Sequence, residues 1–195
     1  MKTAAHTLIR LQSSYLTKRF DRQGKTKTHT EDLGQLTETL TEHKYRESIE
    51  KVGKTIWVCT TNKGSEVLAL FELVIFCFIA GNADMHLKNF SLIRFDNGEI
   101  RLSPAYDLLS TKLAMAKDLE ESALTINGKK NRLKRVDFDE LAIKLGIPVK
   151  STERVYAKFF KKQTAMIELI GMSFLSDEMK QEYTSLLLEN LDRLK

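Results

Sequence analysis

Apolar positions recur with two different periods along this chain, and the change of period divides it into parts. From Val67 to Ala80 the sequence is apolar almost all round, broken only by Glu72. That length suits a helix over about residues 65–80, and a helix without a polar face belongs in a core. Gly81 supplies its stop. Upstream, Ile49, Val52 and Ile56 predict a helix over roughly Tyr45 to Cys59. Leu33, Leu36 and Leu40 predict another, with Thr30 as N-cap and Glu31 and Asp32 in its first turn. Downstream the period shortens. Phe90–Phe95 and Glu99–Leu102 flank Asp96-Asn97-Gly98, which predicts a hairpin, and Leu124–Lys130 repeats the signal around Asn127-Gly128. Asp137-Phe138-Asp139-Glu140 reads as an N-cap and capping box, stopped by Gly146 and Pro148. Ser151 and Ser176 predict caps for two further helices, ending near Gly171 and the C-terminus. Residues 7–20 alternate loosely and predict one or two short strands, followed by a polar loop from Asp21 to His29. The expected fold class is mostly α with small β (α+β).

Composition changes this picture little. With 195 residues, 42% hydrophobic and 29% charged, the chain fits one globular domain with a sizeable core. A net charge of +5 suits a polyanionic ligand such as ATP or RNA but does not diagnose nucleic-acid binding. Cys59 and Cys77 sit in apolar contexts without metal-ligand spacing, and Cys77 reads as a buried free thiol. His6, His29 and His43 show no ligand spacing either. The N-terminus has no apolar signal segment, and the 67–80 run is too short to span a membrane. These features point to a reducing cytoplasm and no membrane partner. Lys129, Lys130, Arg132, Lys134 and Arg135 form a basic cluster, read first as a solvated face and second as a contact for nucleic acid or an acidic partner. Trp57, Leu186, Leu187, Leu188 and Leu191 read as packing residues.

The chemistry concentrates in Gly81-Asn82-Ala83-Asp84-Met85-His86-Leu87-Lys88-Asn89. An Asp followed five residues later by an Asn, just after a buried helix, is the spacing of a kinase catalytic loop. A phosphoryl-transfer site needs a carboxylate to take the proton of the incoming hydroxyl, and Asp84 is the candidate. It also needs hard oxygen ligands for magnesium. Asn89 and Asp107, eighteen positions further on, supply an amide oxygen and a carboxylate. The hairpin between them would bring both to one edge of a cleft. His86 and Lys88 would set donors or positive charge near the γ-phosphate.

The strings GNADMHLKNFSL, RLSPAYDLLST and YLTKRFDR resemble the C-terminal kinase region of HipA-like proteins, the toxins of bacterial toxin–antitoxin modules. The resemblance covers nearly the whole chain. It implies a protein-kinase-like large lobe of HipA type over 1–195, with a hinge-strand region at 1–22 and a helical lobe with catalytic loop and hairpin at 23–195. It implies Asp84 as catalytic base and Asn89 and Asp107 as Mg2+ ligands. Lys18, Arg19, Phe20 and Asp21 would be the hinge that meets the adenine, with Asp21 near the ribose, and His86, Lys88 and Tyr106 would line the ATP site. The implied activity is ATP-dependent serine/threonine protein kinase activity. Known members of the family act on aminoacyl-tRNA synthetases, which makes a synthetase or other translation factor the implied acceptor and a helix-turn-helix antitoxin the implied partner.

One departure from the kinase pattern stands out. No phosphate-cradling Gly-rich loop or strand Lys can be written. The chain has nine glycines, and the nearest pair, Gly24 and Gly34, are ten apart. The small N-lobe is therefore expected to be absent or nearly so. A separate small-lobe chain, a truncated or decayed gene, and an inactive lobe acting as a binding module all account for this. A small-molecule phosphotransferase of the aminoglycoside or choline kinase kind is the alternative enzyme, since those also place a His two residues after the catalytic Asp, as His86 does.

Overall fold

The chain is described here by a computed structural model, which covers residues 18–115 and 119–195 in full and residues 7–9 and 12–14 by their backbone. Two short antiparallel ribbons come first: β1 (Thr7–Ile9) with β2 (Gln12–Ser14), then β3 (Arg22–Gln23) with β4 (Thr26–Lys27). β5 (His29–Asp32) leads into a single helical turn, α1 (Leu33–Leu36). Helices α2 (Ile49–Cys59) and α3 (Lys63–Ile79) follow. The hairpin of β6 (Ser91–Arg94) and β7 (Ile100–Leu102) pairs with β5 in one three-stranded antiparallel sheet, ordered β5-β6-β7. A short α4 (Thr111–Ala114) precedes the C-terminal helices α5 (Arg135–Lys144), α6 (Val149–Lys161), α7 (Gln163–Gly171) and α8 (Asp177–Asp192). The fold is mostly helical with small sheets, as the apolar pattern predicts.

The apolar run around residues 67–80 becomes α3, the axis of the core. Leu70, Phe71, Ile75 and Ile79 on it are fully buried. Other helices press aromatic rings onto it: Phe138 of α5 lies 5.0 Å from Phe78, and Tyr156 of α6 lies 6.2 Å from Phe71. From α8, Asn190 donates its amide to the Phe78 carbonyl at 2.9 Å, and the Arg193 guanidinium lies 4.9 Å over the Phe78 ring. Burying five or six such large side chains stabilises a helix by roughly 10 kcal/mol before chain entropy is counted. No helix among the described residues is long and apolar enough to cross a membrane.

Several local expectations are corrected. Residues 29–32 are strand, not helix, because His29–Asp32 pair with β6. The N-cap passes to Asp32, whose carboxylate accepts from the Gln35 N–H at 2.9 Å. The expected loop at 21–29 contains β3 and β4. Residues 45–47 precede α2 rather than belonging to it, and Ser48 caps it. Asp137 is the third residue of α5, not its cap. Its buried carboxylate reaches back to the Lys134 N–H at 3.0 Å and also accepts from Lys129 Nζ at 2.7 Å and Asn127 at 3.3 Å. Ser151 lies inside α6, whose cap is Pro148, and residues 149–171 form two helices rather than one. The second hairpin shrinks to one bridge, Ile126 to Lys129, around left-handed Asn127 and Gly128. Trp57 is 47% exposed, since Ile56 takes the inward position on α2. Leu188 is also partly exposed, whereas Leu187 and Leu191 are buried. In the basic cluster, Lys129, Lys130 and Arg135 are ion-paired to Asp137, Glu120 and Glu153. His6 and residues 15–17 of the expected N-terminal strand lie outside the described residues. Cys77 is buried, and burial pushes its thiol up to about 12.

Candidate active site

The end of α3 sets the geometry. Gly81 takes φ +68°, and its N–H and that of Asn82 close on the Phe78 and Cys77 carbonyls at 3.2 and 2.8 Å. A Cβ would be strained at this φ and would stand 2.7 Å from Leu186 Cδ2, so Leu186 would have to shift. The chain then runs irregularly, with the His86 N–H donating to the Asp84 carbonyl at 2.8 Å, to a 3-10 turn at Leu87–Asn89. Met85 and Leu87 are buried in the core and anchor this loop, leaving Asp84 half-exposed just before them.

Side-chain amides hold the loop in shape. Asn82 is buried, and its oxygen accepts from the Asp84 N–H at 3.1 Å while its nitrogen reaches the Asp107 carbonyl at 3.4 Å. Ala83 N–H donates to Thr111 Oγ1 at 2.8 Å. Asn89 Nδ2 donates to the Asp84 carbonyl at 2.9 Å. Only the NH2 end of an amide can donate to a carbonyl, so this contact leaves the Asn89 oxygen unused.

The Asp84 carboxylate accepts a hydrogen bond from the Tyr45 hydroxyl, 2.8 Å from Oδ1. Burial and the neighbouring carboxylate push the Tyr45 phenol up to about 12. Its ring meets His86 edge-on at 5.1 Å, and the Lys44 ammonium lies 4.9 Å over its face. Lys44 also stands 2.8 Å from His86 Nε2. Burial, and then Lys44, lower the pKa of His86.

The β6–β7 hairpin returns the chain to the level of the loop. The Tyr106 hydroxyl donates to the Lys88 carbonyl at 2.7 Å and shares a hydrogen bond with Ser91 Oγ at 2.6 Å. Asn89 and Asp107 each lie one residue beyond that contact, at the same end of the hairpin. Asp107 is exposed and left-handed at φ +55°, a conformation that Asp tolerates better than most residues. The Asn89 amide oxygen and the Asp107 carboxylate are both hard donors. Among the described residues no three His, Cys, Asp or Glu side chains converge as a full protein cage. A pair of hard oxygens that leaves other positions to phosphate and water fits magnesium.

Lys18 to Phe20 carry no strand hydrogen bonding. The Arg19 guanidinium grips the buried Asp21 carboxylate through two bonds of 2.7 and 2.6 Å and holds it below the usual carboxylate range. Phe20 lies 5.7 Å from the Tyr106 ring, which joins this segment to the loop. Lys88 packs its stem over Gly34, whose Cβ position is 3.2 Å from Lys88 Cγ. The fold thus groups Asp84, His86, Lys88, Asn89, Tyr106 and Phe20, with Asp107 tied in through its backbone. Lys44, Tyr45, Asn82 and Thr111 escape sequence reading. Lys44 and Tyr45 lie in an irregular stretch, although the apolar spacing starts a helix at Tyr45, and no local pattern marks either as a site residue.

Residues 1–167 match the family described as HipA-like C-terminal domain. The chain belongs to that family. "Putative kinase Y4dM" of Sinorhizobium fredii is 36% identical over 126 residues, 64% of this chain and 30% of its own length. The related protein Y4mE of the same organism is 40% identical over 75 residues, 38% of this chain and 17% of its own. This HipA-like domain also superposes on HipA of Shewanella oneidensis MR-1, solved with HipB and operator DNA. That match has a TM-score of 0.83 at 18% identity, over 99% of this chain and 52% of the other. The kinase CtkA of Helicobacter pylori matches at a TM-score of 0.65 and 15% identity, over 98% of this chain and 73% of the other. The fold is therefore kinase-like. The chain spans about a third or less of these S. fredii relatives and about half of the Shewanella HipA chain.

Proposed function

We propose that this HipA-like domain carries the chemical half of an ATP- and Mg2+-dependent kinase that phosphorylates serine or threonine on a protein. One observation carries the reading: Asn89 Nδ2 holds the Asp84 carbonyl at 2.9 Å, so the two residues with catalytic-loop spacing are built as one unit. Asp84 would receive the acceptor hydroxyl's proton as the hydroxyl oxygen attacks the γ-phosphorus and the bond from that phosphorus to the β–γ bridging oxygen breaks, releasing ADP. Asn89 and Asp107 would hold magnesium, which when bound neutralises charge on the phosphates. Lys88 would face the same negative charge, and Phe20 and Tyr106 offer aromatic surface for a nucleotide base. HipB in the complex of the Shewanella relative supports an antitoxin partner for this chain. A translation factor is the acceptor that the family resemblance favours.

The test is transfer of labelled γ-phosphate by the chain together with the polypeptides encoded beside it. The parent should label a protein acceptor, and Asp84→Asn should lower the rate by about two orders of magnitude or more. Equal labelling by the two proteins would remove Asp84 from the base role.

A further inference from the structure

We infer that Tyr45 is a positioning residue for Asp84: its hydroxyl fixes carboxylate oxygen Oδ1, so that Oδ2 is presented to the acceptor hydroxyl. This rests on the phosphotransfer reading above and adds a residue which that reading does not contain. The contact is 2.8 Å long and joins positions thirty-nine apart in sequence. A carboxylate with one oxygen tied loses the rotation that would let either oxygen drift from the acceptor, and small misplacements of a catalytic group are costly in rate.

The ring itself is clamped. His86 meets its edge at 5.1 Å, and Lys44 lies over its face at 4.9 Å while contacting His86 Nε2 at 2.8 Å. One contact comes from the loop that carries Asp84 and the other from the residue before Tyr45. Tyr45 is 38% exposed, yet its phenol and ring meet Asp84, His86 and Lys44 together. The backbone of Asp84 is held independently, at its N–H by Asn82 and at its carbonyl by Asn89. The phenol restrains the remaining freedom, the side-chain torsion.

Tyr45→Phe separates this role from packing, because it keeps the ring and removes only the hydroxyl. In the transfer assay above, Tyr45→Phe should lower kcat about tenfold while KM for ATP stays within about twofold. Its thermal unfolding should match the parent. A second readout needs no activity. At about pH 10.5, where an ordinary phenol is mostly ionised, the 13Cζ resonance of Tyr45 in the parent should report a protonated phenol. Asp84→Asn should raise the ionised fraction. An unresponsive resonance means the contact is absent in solution and overturns the assignment. A responsive resonance with equal kcat in Tyr45→Phe and parent overturns the positioning role alone. A responsive resonance in a parent that transfers no phosphate sinks the kinase reading, and the positioning role with it.

Discussion

The ammonium of Lys44 stands 2.8 Å from Nε2 of His86. An ammonium has only protons to give, so the imidazole must keep that nitrogen bare and carry its hydrogen on Nδ1. Burial and Lys44 both favour the neutral ring, and the nearby Asp84 and Asp107 oppose them without prevailing. The folded pKa is thus below the ordinary value, and the unfolded chain takes up the proton first. Stability should hold above the ordinary value of about 6.5 and fall as pH drops from there to the folded pKa. Thermal unfolding between about pH 7.5 and pH 5.5 reads this. His86→Gln should flatten the profile in that window, and an unchanged slope would mean that other groups set it.

Gly81→Ala should destabilise the chain by about 2 kcal/mol, from a left-handed alanine and an added methyl that strikes Leu186. Gly98→Ala is the control. That residue is also left-handed, at φ +81°, but nothing lies within 4 Å of its Cβ position. It should lose about 1 kcal/mol in urea unfolding, and equal losses for the two would remove the steric part of the argument.

Asn89 and Asp107 have different dependents, although both are assigned to the cation. Asn89→Asp keeps a hard oxygen but loses the donor to the Asp84 carbonyl, so it should destabilise the fold by about 1–3 kcal/mol. Asp107→Asn alters an exposed group and should stay within about 0.5 kcal/mol of the parent. It should instead raise the Mg2+ concentration needed for nucleotide binding, read by calorimetry. If Asp107→Asn leaves that requirement unmoved, Asp107 is not a ligand.

The Asp137 carboxylate collects Lys129, the Lys134 N–H and Asn127 at the start of α5. Burial pushes its pKa up, but these donors outweigh burial and hold it below the usual range. Asp137→Ala strands all three and should lower stability by about 2–3 kcal/mol at neutral pH. The difference from the parent should shrink only in strong acid, as the pH falls through the depressed folded pKa. A difference that stays constant down to pH 2 (about two units below an ordinary carboxylate) would refute the charge contribution.

The sequence makes the loop legible because three signals meet there: a helix apolar on all faces, a glycine stop, and an Asn-Gly turn. α3, Gly81 and the β6–β7 hairpin follow from residue type and local sterics. The strand at His29–Asp32 does not, since Leu33 and Leu36 mimic a helix stripe and only pairing with β6, sixty residues on, decides the matter. Asp137 misleads for a related reason. A capping carboxylate at the third position reaches back to a residue that carries no capping signal of its own. Lys44 and Tyr45 are invisible for want of any period, because their roles come from meeting a distant loop.

Asn190, near the end of α8, hydrogen-bonds the Phe78 carbonyl just behind Gly81. A chain emerging from the ribosome at about 5–20 residues per second therefore makes the Gly81–Asn89 loop several seconds before it makes the brace behind it. Until residue 190 is free, the last turn of α3 lacks this partner. The order of the sequence thus acts as a timer, delaying the brace behind Gly81 until synthesis has passed α8.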